Sequence, residues 1–156
     1  MAASDGRRRY RRRLVPIVMA AALAAGWMSA STALAAETAR TGLYGGKSDC
    51  GAPDNQGYTR DGRVTWVRDG NTLTITYRVR NLLAFGIYRV ALFDNDTACQ
   101  FVGWFNDGSP IQMDDRGKAM GSLIFPASVA GYSTFYLDFQ HLSLPSYAET
   151  TTVTLP

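Results

Sequence analysis

The chain is poor in the residues that carry most enzyme and metal chemistry: its 156 residues include one histidine, His141, and two cysteines, Cys50 and Cys99. One imidazole and two thiols leave no ligand set for zinc or copper. They also leave a single base for a nucleophilic triad, and no G-x-S-x-G elbow is present to hold a serine. His141 sits beside Ser143 in what reads as a loop after a strand, and is expected as a surface residue. Long apolar runs are equally scarce. Leu14–Met28 is almost purely apolar but falls short of the roughly 20 residues that span a bilayer. Beyond residue 36 no stretch has the period of an amphipathic helix of useful length.

What is present begins with a charge run. Arg7, Arg8, Arg9, Arg11, Arg12 and Arg13 cannot pack together in a folded domain and must be solvated. The apolar run follows at once, and then small residues, with Ala33 and Ala35 at the −3 and −1 positions of a cleavage site. Residues 1–36 therefore read as a cleaved helical signal peptide, cut after Ala35 or Ala36, and the protein is expected to be secreted. Arg11-Arg12-Arg13-Leu14-Val15 resembles a twin-arginine signal, although six arginines also make an ordinary charged leader. The segment is similar in style to the export signals of high-GC bacteria. No cysteine follows the apolar run closely enough for lipid attachment, so no membrane partner is expected after cleavage.

Removing the leader reverses the charge. The whole chain is formally +3, but six of its 16 basic residues and one of its 13 acidic residues lie in residues 1–36. The remaining ten basic and twelve acidic residues give −2. The basic ones are spread singly along the chain, so nucleic acid is not an expected partner. Cys50 and Cys99 form an even count in an oxidising compartment and are expected to pair. A bridge closing about 50 residues stabilises a fold by about 4 kcal/mol on the chain-entropy account.

From Arg63 onward the apolar period is two. In Thr72–Arg80, Leu73, Ile75, Tyr77 and Val79 share one face, and Thr72, Thr74, Thr76, Arg78 and Arg80 the other. Asp69-Gly70-Asn71 separates this strand from Arg63–Arg68 with hairpin chemistry. Further strands are predicted over 86–94, 99–105, 118–125, 132–139 and 150–155. About seven short strands with turns between them indicate an all-β fold, a small antiparallel β-sandwich of immunoglobulin-like architecture, with a barrel as the competitor. Trp66 on an early strand together with a disulfide resembles immunoglobulin domains, although Cys50 lies outside any obvious strand. The predicted organisation is a leader (1–36), a Gly- and Asp-rich loop segment (37–62) and a sandwich (63–156).

Candidate sites follow from that frame. Strict alternation puts Phe101 inside and Trp104 outside on one strand, and Phe135 inside with Tyr132 and Tyr136 outside on another. Exposed flat rings on a sheet suit stacking on sugars or contact with a protein, so these three are the ligand-binding candidates. Arg78, Arg80 and Arg89 are expected to share an outward face, either simply solvated or facing an anion. Asp94, Asp96, Asp114 and Asp115 crowd oxygens at strand ends; they are the calcium candidates, although turns favour the same residues. A hydrolase would have to use Asp94, Asp96 or Asp114 with His141. The sequence thus favours a non-catalytic extracellular binding module, without a cofactor, for an unknown protein or glycan; a carbohydrate or cell-wall binder and a small secreted hydrolase are the alternatives.

Overall fold

The computed structural model describes residues 36–46, 60–95 and 99–156. Residues 1–35 of the expected leader, Cys50 and Asp96 lie outside the described residues. The described chain is all-β and antiparallel, with ten strands: β1 (Glu37–Gly45), β2 (Arg60–Asp69), β3 (Thr72–Val79), β4 (Ile87–Asp94), β5 (Gln100–Trp104), β6 (Ile111–Gln112), β7 (Ala119–Ile124), β8 (Thr134–His141), β9 (Tyr147–Thr150) and β10 (Val153–Thr154). A 3-10 turn, Phe105–Gly108, is the one helical element among the described residues.

The strands follow one hydrogen-bonded path, β5-β4-β8-β9-β1-β2-β3-β7, with β10 added to β8 and β6 to β4. β1 is the corner. It pairs with β2 along Glu37–Tyr44 and with β9 through Leu43–Gly45, and its register against β2 shifts between Leu43 and Tyr44. Such an irregularity bends a strand and strengthens its twist. The sheet therefore curls, and its two halves meet face to face. Trp66 of β2 stacks on Phe135 of β8 at 6.5 Å between ring centroids, and Tyr77 of β3 meets Phe139 of β8 edge-on at 5.9 Å.

The alternation of β3 explains why it buries one face only: Leu73, Ile75, Tyr77 and Val79 are in the core, while Thr72, Thr76 and Arg78 face solvent. Each large apolar side chain so buried contributes about 1.5–3 kcal/mol. The β2–β3 turn needs only Gly70 and Asn71 between the last paired residues, Asp69 and Thr72. Gly70 has φ +56, as the first central residue of a II′ hairpin turn requires.

Two segments differ from expectation. Residues 37–62, expected as a loop, are strand at both ends. β1 escapes the period-two rule because its core face is Ala39, Thr41 and Leu43, of which only Leu43 is strongly apolar. Thr41 belongs there because its Oγ1 accepts the buried Trp66 indole N–H at 2.9 Å. The single last strand expected over 150–155 is broken into β9 and β10. Both lie along β8, and in the gap the Leu137 N–H donates to Thr150 Oγ1 at 2.9 Å in place of a ladder carbonyl.

Candidate functional site

Arg63 of β2 stands directly opposite Arg78 of β3. Both point outward, as their parity against the buried Val64 and Tyr77 demands. Arg60 joins them because the shift in the β1–β2 register places it opposite Tyr44. Arg80 follows Arg78 by two residues and keeps to the same side, its backbone N–H held by the Asp61 carbonyl at 2.6 Å. Arg60, Gly62, Arg63, Arg78 and Arg80 together line an open groove of ≈ 240 Å³. Beyond Arg63 and Arg78 the surface widens into a depression edged by Thr65, Thr76 and Met120. Gly62 lines the groove too, and a Cβ there would come within 2.5 Å of the Arg78 carbonyl oxygen.

The four guanidinium groups are exposed, and among the described residues neither Arg63 nor Arg78 makes an ion pair. One carboxylate lies close by. Asp61 is buried, and burial pushes its pKa up, against the opposing effects of the Asn81 side chain, the Arg80 charge and the Gly45 amide. With one carboxylate against four exposed arginines, the face keeps a net positive charge. Along the sequence these arginines are single; the strand pairing makes them a cluster.

Arg89 is not part of it. It lies on the outer face of β4, in the other half of the sheet, with its guanidinium 5.6 Å from the Trp104 ring centroid. Trp104 is half-buried and meets Phe101 edge-on at 5.4 Å; Phe101 meets Phe93 at 5.6 Å, and Phe93 stacks on Tyr136 at 5.0 Å. This ladder corrects two expectations. A register shift between Leu92 and Phe93 turns Phe101 outward to the side of Trp104, whereas strict alternation put it in the core. Tyr136 is on the outer side of β8 as predicted, but it is buried. Its phenol pKa is pushed up to about 12 by burial, and further by the Glu149 and Asp138 charges. Those two buried carboxylates, cross-strand partners on β9 and β8, escaped the sequence reading because nothing in a strand pattern shows that an outward face is covered. Tyr132 lies elsewhere. It packs against the core, and its carbonyl accepts Arg68 Nη1 at 2.7 Å. The fold therefore does not bring Trp104, Tyr132 and Tyr136 into one site.

His141 anchors a turn. Its Nδ1 accepts the N–H groups of Ser143 and Leu144 at 3.1 and 3.0 Å, and its ring stands edge-on to Tyr88 at 5.1 Å. Tyr88 pairs with His141 at one end of the β4–β8 ladder and Asp94 with Phe135 at the other. Six residues of strand separate them, about 20 Å. Asp114 is also committed to a turn: its Oδ1 accepts the N–H groups of Arg116 and Lys118, which with the nearby Lys118 and Arg116 charges holds its carboxyl below the usual range. Asp94 and the Asp114–Asp115 pair are thus at opposite ends of β4, since Gln112 pairs with Ile87. Among the described residues no group of three His, Cys, Asp or Glu side chains is placed to hold a metal ion. No cysteine among the described residues is free; Cys99 precedes β5 with φ 61, and its expected partner lies outside them. No known family model matches the chain, and no curated protein is similar to it in sequence.

Proposed function

We propose that the protein is a non-catalytic extracellular binding module that holds an acidic glycan across the outer face of β2 and β3. The observation that carries this reading is Arg63 directly opposite Arg78, flanked by Arg60 and Arg80. Like charges directly opposite destabilise a sheet. A polyanion supplies the missing counter-charge, and the planar guanidinium fork matches carboxylate and sulfate oxygens. Neighbouring strands lie about 4.8 Å apart and alternate residues about 7 Å apart, so the four cations present a patch suited to an extended polymer. The groove is open. Its lining has no outward ring for bases to stack on and no projecting element to enter a duplex groove, which favours a glycan over nucleic acid.

The same reading takes the curled sheet as an immunoglobulin-like sandwich, exported by residues 1–36 and stapled by Cys50–Cys99. Trp66 in the shared core and the absence of a free thiol at Cys99 support it. A second glycan surface is favoured by one observation: Phe101 is 48% exposed beside Trp104 and Arg89, a ridge that could stack on an uncharged sugar.

Retention on immobilised polygalacturonate and on uncharged dextran separates the two. The protein should be held by the acidic polymer at low salt and released as ionic strength shortens the Debye length toward 3 Å. Arg63→Gln and Arg78→Gln should elute earlier, and Trp104→Ala should be unchanged. Equal retention on both polymers, lost in Trp104→Ala, would move the site to the aromatic ridge. Retention on neither polymer would end the glycan reading.

A further inference from the structure

We infer that the arginine face takes a chain of hexuronate residues with free vicinal hydroxyls, and that Thr65 and Thr76 read those hydroxyls. Such specificity rests on the acidic-glycan reading and narrows it to uronates, as against polymers that carry charge alone. Thr65 of β2 and Thr76 of β3 are cross-strand partners, the next outward pair after Arg63 and Arg78. Val64, Trp66, Ile75 and Tyr77 are buried, so both threonines point to the arginine side of the sheet. Neighbouring strands are about 4.8 Å apart and alternate residues about 7 Å apart, so these four side chains mark a rectangle near the footprint of one pyranose ring. They line a single depression of ≈ 520 Å³ whose lining contains no Asp or Glu. Asp61 lies beyond Arg63 at the other end of the face, buried with the Asn81 side chain and the Arg80 charge.

The two hydroxyls are available. Among the described residues neither Thr65 nor Thr76 has a side-chain hydrogen-bond partner. Other hydroxyls of the sheet are committed to the fold. Thr41 Oγ1 accepts the Trp66 indole N–H, and Thr150 Oγ1 accepts the Leu137 N–H. Ser122, the partner of Thr76 on β7, donates to the Ile75 carbonyl at 3.0 Å, so the row of free hydroxyls stops at β3. On that side Met120, opposite Arg78 and 66% exposed, offers an apolar rim for the C–H face of a sugar. Threonine is favoured in any strand. A pair of unpartnered hydroxyls one step from a pair of cations, in one depression, is a more specific combination.

A 4-linked hexuronate fits that rectangle. Its carboxylate stands on C5, and its free hydroxyls on C2 and C3 lie across the ring. The carboxylate oxygens suit the two guanidinium forks, and a sugar hydroxyl that both donates and accepts suits each threonine. A chain held by charge alone leaves Thr65 and Thr76 in water. Dextran sulfate is such a chain: its sulfates match the arginines, but its esters occupy the ring hydroxyls.

Affinity electrophoresis through polygalacturonate, through the same polymer acetylated on O2 and O3, and through dextran sulfate tests the assignment. Thr65→Val and Thr76→Val keep the branched, strand-forming shape and should each weaken binding to polygalacturonate about three- to fivefold. Neither should alter binding to dextran sulfate or the far-UV circular dichroism. The unaltered protein should hold the acetylated polymer less tightly than the free one, and the Thr65→Val, Thr76→Val double variant should no longer tell them apart. Arg63→Gln should weaken binding to all three. Unchanged polygalacturonate binding in both threonine variants, or an equal loss on dextran sulfate, overturns the assignment. Binding that still depends on Arg63 then leaves the acidic-glycan reading standing on charge alone. Binding to none of the polymers removes both.

Discussion

Arg63→Gln should stabilise the protein while weakening its hold on a polyanion. The glutamine keeps most of the side-chain length and removes one charge from a site where Arg63 faces Arg78 across adjacent strands. Two unit charges about 5.5 Å apart in water repel by about 0.75 kcal/mol, and Arg60 and Arg80 add smaller contributions. Side-chain motion and the Asp61 carboxyl reduce this, so a net gain of about 0.5–1 kcal/mol is expected. For a domain of about 120 residues that is a rise of about 2–5 °C in Tm. Thermal melts followed by circular dichroism at 20 mM and 500 mM sodium chloride would read it, because screening should erase most of the difference at the higher salt. Added polygalacturonate should raise the Tm of the unaltered protein more than that of the variant. A fall in Tm at low salt, or a gain independent of salt, would show that the arginines are not repelling one another and that no counter-charge is wanted.

Arg68 is the opposite kind of arginine. Its Nη1 donates to the carbonyls of Tyr132 and Leu155 at 2.7 and 2.6 Å, its Nε to Gly70 and its Nη2 to Val129, tying the β2–β3 turn to the 129–132 segment and the chain end. Arg68→Ala should cost about 2–4 kcal/mol in urea unfolding, and Arg68→Lys should recover only part, since an ammonium cannot reach four carbonyls in one plane. Tyr136 contributes to alkaline stability. Its folded pKa of about 12 exceeds the ordinary value of 10.0, so the fold favours the neutral phenol; stability is full below pH 10 and is lost as pH rises from there toward 12. Allowing for solvent screening its share of the loss should be about 1–2 kcal/mol. Tyr136→Phe should remove that share and leave the part due to the buried Tyr77, whose phenol pKa is also raised by burial, as measured by urea midpoints across that range.

Several features could be read from the residues in order. The alternation of Thr72–Arg80 admits a sheet and no helix, and it assigns Leu73, Ile75, Tyr77 and Val79 to the core correctly. Gly70 in its hairpin and the outward aim of Arg78 and Trp104 follow from the same local chemistry. β1 was not legible, because a strand whose core face includes a threonine bonded to a distant indole has no apolar period to detect.

Which residues meet was decided by the tertiary structure. Period two says which side of a strand a residue takes, but not which strand lies beside it. Arg63 and Arg78 therefore became neighbours while Arg89, equally outward, went to the far half of the sheet. One register shift moved Phe101 from the expected core to the surface, and a covered outer face buried Tyr136. Pairing, register and coverage are long-range properties, set by how the whole sheet curls to bury its inner faces. A sequence of single arginines thus carries the charges of a site, and only the fold assembles them.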